Sequence, residues 1–136
     1  MKNTIKLLSI IPFLLISSKS IAQIDTLNYL KQFEINKAQF INQPFSHLLN
    51  HITQIQPKSH WAHSSMKNKY IVKASTFNFC QMDYSFKNAV TLRITWQDTF
   101  PKSGVKYLQN KNGYYFTNEE KIFYGDKIVK DIMVYR

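Results

Sequence analysis

The sequence predicts an α+β domain in which two N-terminal helices pack on one face of an antiparallel sheet of four or five strands. Helical patterns dominate the first half and strand patterns the second, an order typical of α+β folds rather than of parallel, doubly wound ones. Residues 90–96 alternate strictly between apolar and polar side chains. This is the period of a strand with one face in a core and the other open to water or a partner.

Residues 1–22 are predicted to be a cleaved signal peptide. A basic start precedes an apolar stretch from Leu7 to Ile16, and Ser20 and Ala22 are small residues at a cleavage site. The stretch falls short of the roughly 20 apolar residues of a spanning helix, and no later stretch is apolar enough to span a bilayer. We therefore expect one exported domain, residues 23–136, in the periplasm or outside the cell. The pattern is typical of small exported bacterial proteins.

The predicted mature chain is basic. Loss of Lys2, Lys6 and Lys19 with the signal peptide lowers the count of Lys and Arg from 18 to 15, against 8 Asp and Glu, a net charge near +7. Such a charge favours acidic partners. The lone Cys80 has no second cysteine to pair with inside the chain, so the core must form without a disulfide.

The first half of the mature chain carries two helix patterns. Asp25 is a candidate N-cap for a helix that runs to about Lys37. Pro44 suits the first turn of a second helix, where its missing N–H costs nothing. The apolar residues that follow recur at i, i+3, i+4 and i+7, the spacing of a helix with one buried face: Phe45, Leu48, Leu49 and Ile52.

The second half is predicted to consist mainly of strands. Residues 59–66 show no regular period, whereas Tyr70 to Cys80 is rich in β-branched and aromatic residues and is predicted to be a strand. The alternating strand at 90–96 follows. A loop is expected from Asp98 to Gly104, which Pro101 and Gly104 punctuate.

The C-terminal part is predicted to be a hairpin, a short helix and a strand. Val105 to Leu108 is expected to pair with Tyr114 to Phe116 across an Asn-Gly turn. Thr117 and Glu120 have the spacing of a capping box, and Gly125 fits the end of that helix. Ile128 to Tyr135 carries apolar groups on both faces, which indicates a central strand.

The candidate binding residues are Lys73, Arg93 and Thr95, which we expect on the polar face of the sheet. Arg93 and Trp96 point to opposite faces of their strand, which argues against a stacking platform for nucleic acid, as does export. Ser64 and Lys67 have the spacing of a serine acyl-enzyme motif whose partner motifs are absent. We therefore expect a non-enzymatic binding module without a cofactor, whose partner is an acidic protein or a cell-envelope polyanion.

The alternative function is zinc or copper binding by four histidines. His47 and His51 are one helical turn apart, a spacing at which two imidazoles can share a metal. His60 and His63 would complete a tetrahedral set if the segment after Pro57 folded back over the helix. The apolar stripe places His47 and His51 on the solvent side, so exposed surface histidines are the simpler interpretation.

Overall fold

The computed structural model describes residues 24–136, so the predicted signal peptide lies outside the described residues. Four antiparallel strands form one sheet in the order β1-β2-β3-β4, which confirms the α+β class. The α-helices and strands in chain order are α1 (Thr26–Ile35), α2 (Phe45–His51), β1 (Ser59–Ser64), β2 (Ile71–Asn78), β3 (Thr91–Pro101), α3 (Lys102–Asn112), α4 (Asn118–Gly125) and β4 (Val129–Tyr135). Short 3-10 helices lie at Lys37–Gln39 and Met82–Tyr84.

The core lies on one face of this sheet. Leu92, Ile94 and Trp96 of β3 are buried, whereas the polar residues between them stay partly exposed, as the alternation predicts. Phe45 of α2 stacks on Phe77 of β2 with ring centroids 4.9 Å apart. Burial of each such side chain contributes about 1.5–3 kcal/mol. The other fully buried apolar side chains are Leu30, Leu48, Ile52, Val72, Val105, Tyr124, Val129, Ile132 and Val134.

The helices cover the core and one edge of the sheet. Asp25 caps α1, since its carboxylate accepts the Asn28 N–H at 3.2 Å. Helix α1 packs beside β4, and α2 packs on α4. Between residues 24 and 136, no helix has the length and apolar content that crossing a bilayer requires.

Residues 59–64 form a strand, where the sequence suggested irregular structure. His60 and Ala62 lie opposite Phe77 and Ser75 of β2, on the core face. The strand period was hidden because a histidine occupies a core position. His60 is fully buried and hydrogen-bonded to Tyr124.

The predicted loop and strand between Asp98 and Leu108 are both wrong. Strand β3 continues to Pro101, and α3 follows at once. Val105 and Leu108 are buried three residues apart, at helical rather than strand spacing. Gly104 is there for packing and not for a turn, because a Cβ at this position would lie 3.0 Å from the Phe123 ring.

Tyr114 to Phe116 pairs with β1 and not with residues 105–108. Tyr115 bridges to Ser59, and the Phe116 N–H donates to the Lys58 carbonyl at 2.9 Å. Gly113, at a φ of +61°, ends α3 in the left-handed conformation. The Asn-Gly signal therefore marks a helix C-cap rather than a hairpin turn.

Strand β4 is an edge strand, so the predicted central position is wrong. Its outer edge is covered, since the Glu34 carboxylate accepts the Val134 N–H at 2.8 Å and the Val129 carbonyl accepts the Asn42 N–H at 2.8 Å. A register shift beside Trp96 brings Val129 into the core. Together with the exposed Met133, this shift produced the apparently two-faced pattern.

Candidate functional site

The structure places Lys73, Arg93 and Thr95 on the open face of the sheet. Arg93 lies opposite Thr76, and Thr95 lies opposite Ala74. Lys73 occupies the register irregularity between Val72 and Ala74, which lets Val72 stay in the core and leaves Lys73 exposed. The three residues predicted from the sequence therefore share one face.

This open face is not uniformly basic. Asp131 lies opposite Thr95 in the register and forms an ion pair with Lys37, with Nζ and Oδ1 2.7 Å apart. His63 Nε2 is 3.0 Å from the Thr76 hydroxyl. Partial burial, together with Arg93 and Lys102, lowers the pKa of His63, so this imidazole is neutral at pH 7 and adds no positive charge.

A groove of about 780 Å³ between β1 and α3 was not anticipated from the sequence. We call it the lysine groove, because Lys69, Lys102 and Lys106 line it and none of the other described residues in its lining is charged. Its lining also includes three aromatic side chains: Trp61, Tyr70 and Tyr114. Its volume is within the range of about 300–1,000 Å³ that is common for ligand pockets.

Side-chain contacts hold the groove walls in place. The Lys102 ammonium donates to the Ser64 hydroxyl at 3.2 Å, and that hydroxyl donates to the Lys69 carbonyl at 2.9 Å. Trp61 stacks on Tyr114 with ring centroids 4.7 Å apart and an interplanar angle of 25°. Lys102 is therefore positioned at one end of β1, with the aromatic pair further along the strand.

The four histidines are not brought together. His47 and His51 lie side by side on α2, with ring centroids 4.6 Å apart, whereas His60 is in the core and His63 is on the opposite face of the sheet. Within residues 24–136, no group of three or more His, Cys, Asp or Glu side chains is arranged to hold a metal ion. Cys80 is a partly exposed free thiol just after β2.

His60 belongs instead to a buried polar cluster with Tyr124 and Glu120. Its Nδ1 is 3.0 Å from the Tyr124 hydroxyl, and its Nε2 is 3.8 Å from a Glu120 carboxylate oxygen. Burial lowers the pKa of His60 to about 4, although Glu120 acts to raise it. Burial likewise raises the pKa of Tyr124. Histidine and tyrosine are therefore neutral at pH 7.

Glu120 joins this cluster to the predicted capping box, which is confirmed. Its carboxylate accepts the backbone N–H and the hydroxyl of Thr117, as well as the Asn112 amide at 2.7 Å. Burial alone would raise the pKa of Glu120, but these hydrogen bonds lower it overall. The side chains of His60, Tyr124 and Glu120 are all fully buried, so we assign the cluster a structural role.

Compared with known proteins, the chain matches no family model, and no curated protein or solved structure is significantly similar to it. The fold and the groove therefore define only a class, namely a small α+β protein with a basic, aromatic groove at one sheet edge. Residue chemistry in that groove has to carry any functional conclusion.

Proposed function

We propose that this chain is an exported, non-enzymatic binding module whose lysine groove receives an acidic segment of a partner. One observation carries the proposal, which is that three lysines line a concave site and that no acidic residue between positions 24 and 136 lines it. A cleft lined by charges of one sign concentrates counter-charged ligands and speeds their association. The predicted signal peptide and the net positive charge of the chain support the same conclusion.

The open face, with Lys73, Arg93 and Thr95, has a secondary role in this proposal. Trp61 lines both the groove and a second depression, whose other lining residues include His63 and Thr76 of the open face. The Asp131–Lys37 ion pair at the far end of the open face offsets part of its positive charge. We therefore expect the open face to add long-range attraction and the groove to hold the ligand.

The test is binding of a labelled acidic peptide to the purified protein, followed by fluorescence anisotropy. The variant Lys69→Gln/Lys102→Gln/Lys106→Gln should bind about tenfold or more weakly, since each exposed charge pair contributes up to about 1 kcal/mol. Affinity of the unmodified protein should also fall as ionic strength rises, because salt screens exposed charges.

The matched control changes three exposed lysines outside the groove, in the variant Lys87→Gln/Lys121→Gln/Lys130→Gln. It loses the same total charge and should keep most of the affinity. If both triple variants lost affinity equally, binding would reflect net charge alone and the groove would not be the site. A Lys73→Gln/Arg93→Gln variant measures the contribution of the open face separately.

A further inference from the structure

The outer edge of β1 is only partly covered. The His60 N–H donates outward to the Tyr114 carbonyl at 3.1 Å. In an antiparallel strand, backbone groups two residues apart point to the same side, so Ala62 also directs its N–H and C=O outward. In the part of the chain that the structure describes, no other element forms a backbone hydrogen bond with these two groups of Ala62.

The register of the sheet, traced from the opposite edge at β4, also shows that the backbone groups of His60 point outward. Val134 turns its N–H outward to Glu34, and the register connects Val134 through Leu92 and Phe77 to His60. Bonded and non-bonded pairs alternate across such a ladder. The backbone of His60, and with it that of Ala62, must therefore face away from β2.

Chain direction explains why pairing stops before Ala62. The segment that pairs with β1 ends at Tyr114, and the preceding residues turn at Gly113 into α3. A helix cannot pair with a strand edge, because its own backbone groups are bonded internally. Ala62 consequently forms part of the wall of the lysine groove, with Tyr114 and Lys102 among its other lining residues.

An uncovered strand edge is a template for an added strand. Here the template lies inside a groove whose charged lining residues, in the described part of the chain, are all lysines. The backbone groups of Ala62 would pair with any extended peptide, whereas the lysines select one with carboxylates. Side chains two residues apart in a strand point to the same side, so a segment with acidic residues at every second position fits best.

We propose that an acidic, extended segment of a partner protein adds to the outer edge of β1 as a fifth strand, with its backbone paired to Ala62 and its carboxylates facing the lysine groove. This proposal rests on the proposed function and deepens it by naming the ligand as a polypeptide with free backbone amides. A cell-envelope polyanion has the charge but lacks the ladder of N–H and C=O groups.

The experiment uses the purified protein and a labelled peptide in which Thr and Glu alternate. Two derivatives carry N-methyl groups on alternate amides, one on the odd and the other on the even positions. Only one edge of an added strand faces β1. The derivative with N-methyl groups on that edge should bind about tenfold or more weakly than the unmethylated parent peptide. The other derivative should bind within about twofold of the parent. Each derivative is the control for the other, whichever way the peptide lies.

A pair of protein variants tests the same hydrogen bonds from the other side. Ala62→Pro removes the outward N–H, and Pro is tolerated on a strand edge at such a position. Ala62→Ser keeps the N–H. We expect the proline variant alone to lose affinity, and the peptide derivatives decide the question if that variant does not fold.

The outcomes separate this proposal from the proposed function. If both N-methylated peptides bind like the parent while the lysine variant still loses affinity, the groove binds acidic ligands but strand addition is refuted. Strand addition would also be refuted if polyphosphate competed as strongly as the parent peptide when the two are compared at equal charge, since polyphosphate has no backbone amides. If the parent peptide does not bind, both proposals fail.

Discussion

Replacement of the buried His60 by phenylalanine should change how stability depends on pH. Burial lowers the pKa of His60 from 6.5 to about 4 in the folded protein. Above pH 6.5 the imidazole is neutral in both the folded and the unfolded protein. The stability that its neutral form contributes is then at its full value. As the pH is lowered from 6.5 to about 4, only the unfolded chain takes up the proton. The free energy of unfolding therefore decreases by about 3 kcal/mol over this range.

His60→Phe removes this titration and also the hydrogen bond with Tyr124. Loss of that bond is an offset of about 1–3 kcal/mol that does not vary with pH in this window. The stability of wild type relative to the variant should therefore fall by about 3 kcal/mol between pH 7 and pH 4.

The assay is urea unfolding of both proteins at a series of pH values from about 7.5 to about 4, with the difference in free energy plotted against pH. Other titrating groups are common to both proteins and cancel in this difference. His51→Gln serves as a control, because it removes an exposed histidine on α2 and retains His60. A difference that stays constant over the whole range would refute the assignment of a buried, neutral His60.

Three further predictions concern the capping box, the β4 edge and metal binding. Thr117→Val removes the cap of α4 and should lower the free energy of unfolding by about 1 kcal/mol in urea titrations; no change would mean that the cap is dispensable. Glu34→Ala leaves the Val134 N–H at the sheet edge without its carboxylate, which should cost about 1.5–3 kcal/mol and speed amide exchange at Val134 in hydrogen-exchange measurements. Zinc added to the protein should bind more weakly than at a four-ligand site, and His47→Ala/His51→Ala should abolish what binding there is in calorimetric titration. Tight zinc binding that survives this double variant would show that a different site exists.

The elements that the sequence predicted correctly are those whose signal is local. Strict alternation places Leu92, Ile94 and Trp96 on one face wherever the strand lies. A capping box needs only Thr117 and Glu120 three residues apart. The second helix was predicted from an apolar stripe of its own, and this stripe packs in the core as its spacing requires.

The predictions that the structure contradicts concern places where a neighbouring element decides the local structure. His60 is a core residue only because Tyr124 and Glu120 come from α4 to meet it. Gly104 stands in a helix because Phe123 packs so closely against it that a Cβ would lie 3.0 Å from the ring. Strand β4 is an edge, and α1 covers that edge through Glu34. None of these partners lies within one element's length in the sequence.

The features of the candidate site also separate into those that the sequence predicts and those that depend on the tertiary structure. From composition alone the sequence predicts an acidic partner, since net charge does not depend on the fold. From spacing alone it predicts that Arg93 and Thr95 share a face, since the period of a strand is two. Only the tertiary structure decided that Lys69, Lys102 and Lys106 line one groove and that no described residue forms a backbone hydrogen bond with the outer side of Ala62. Those facts depend on where α3 lies beside β1, which is settled by packing between residues far apart in the chain.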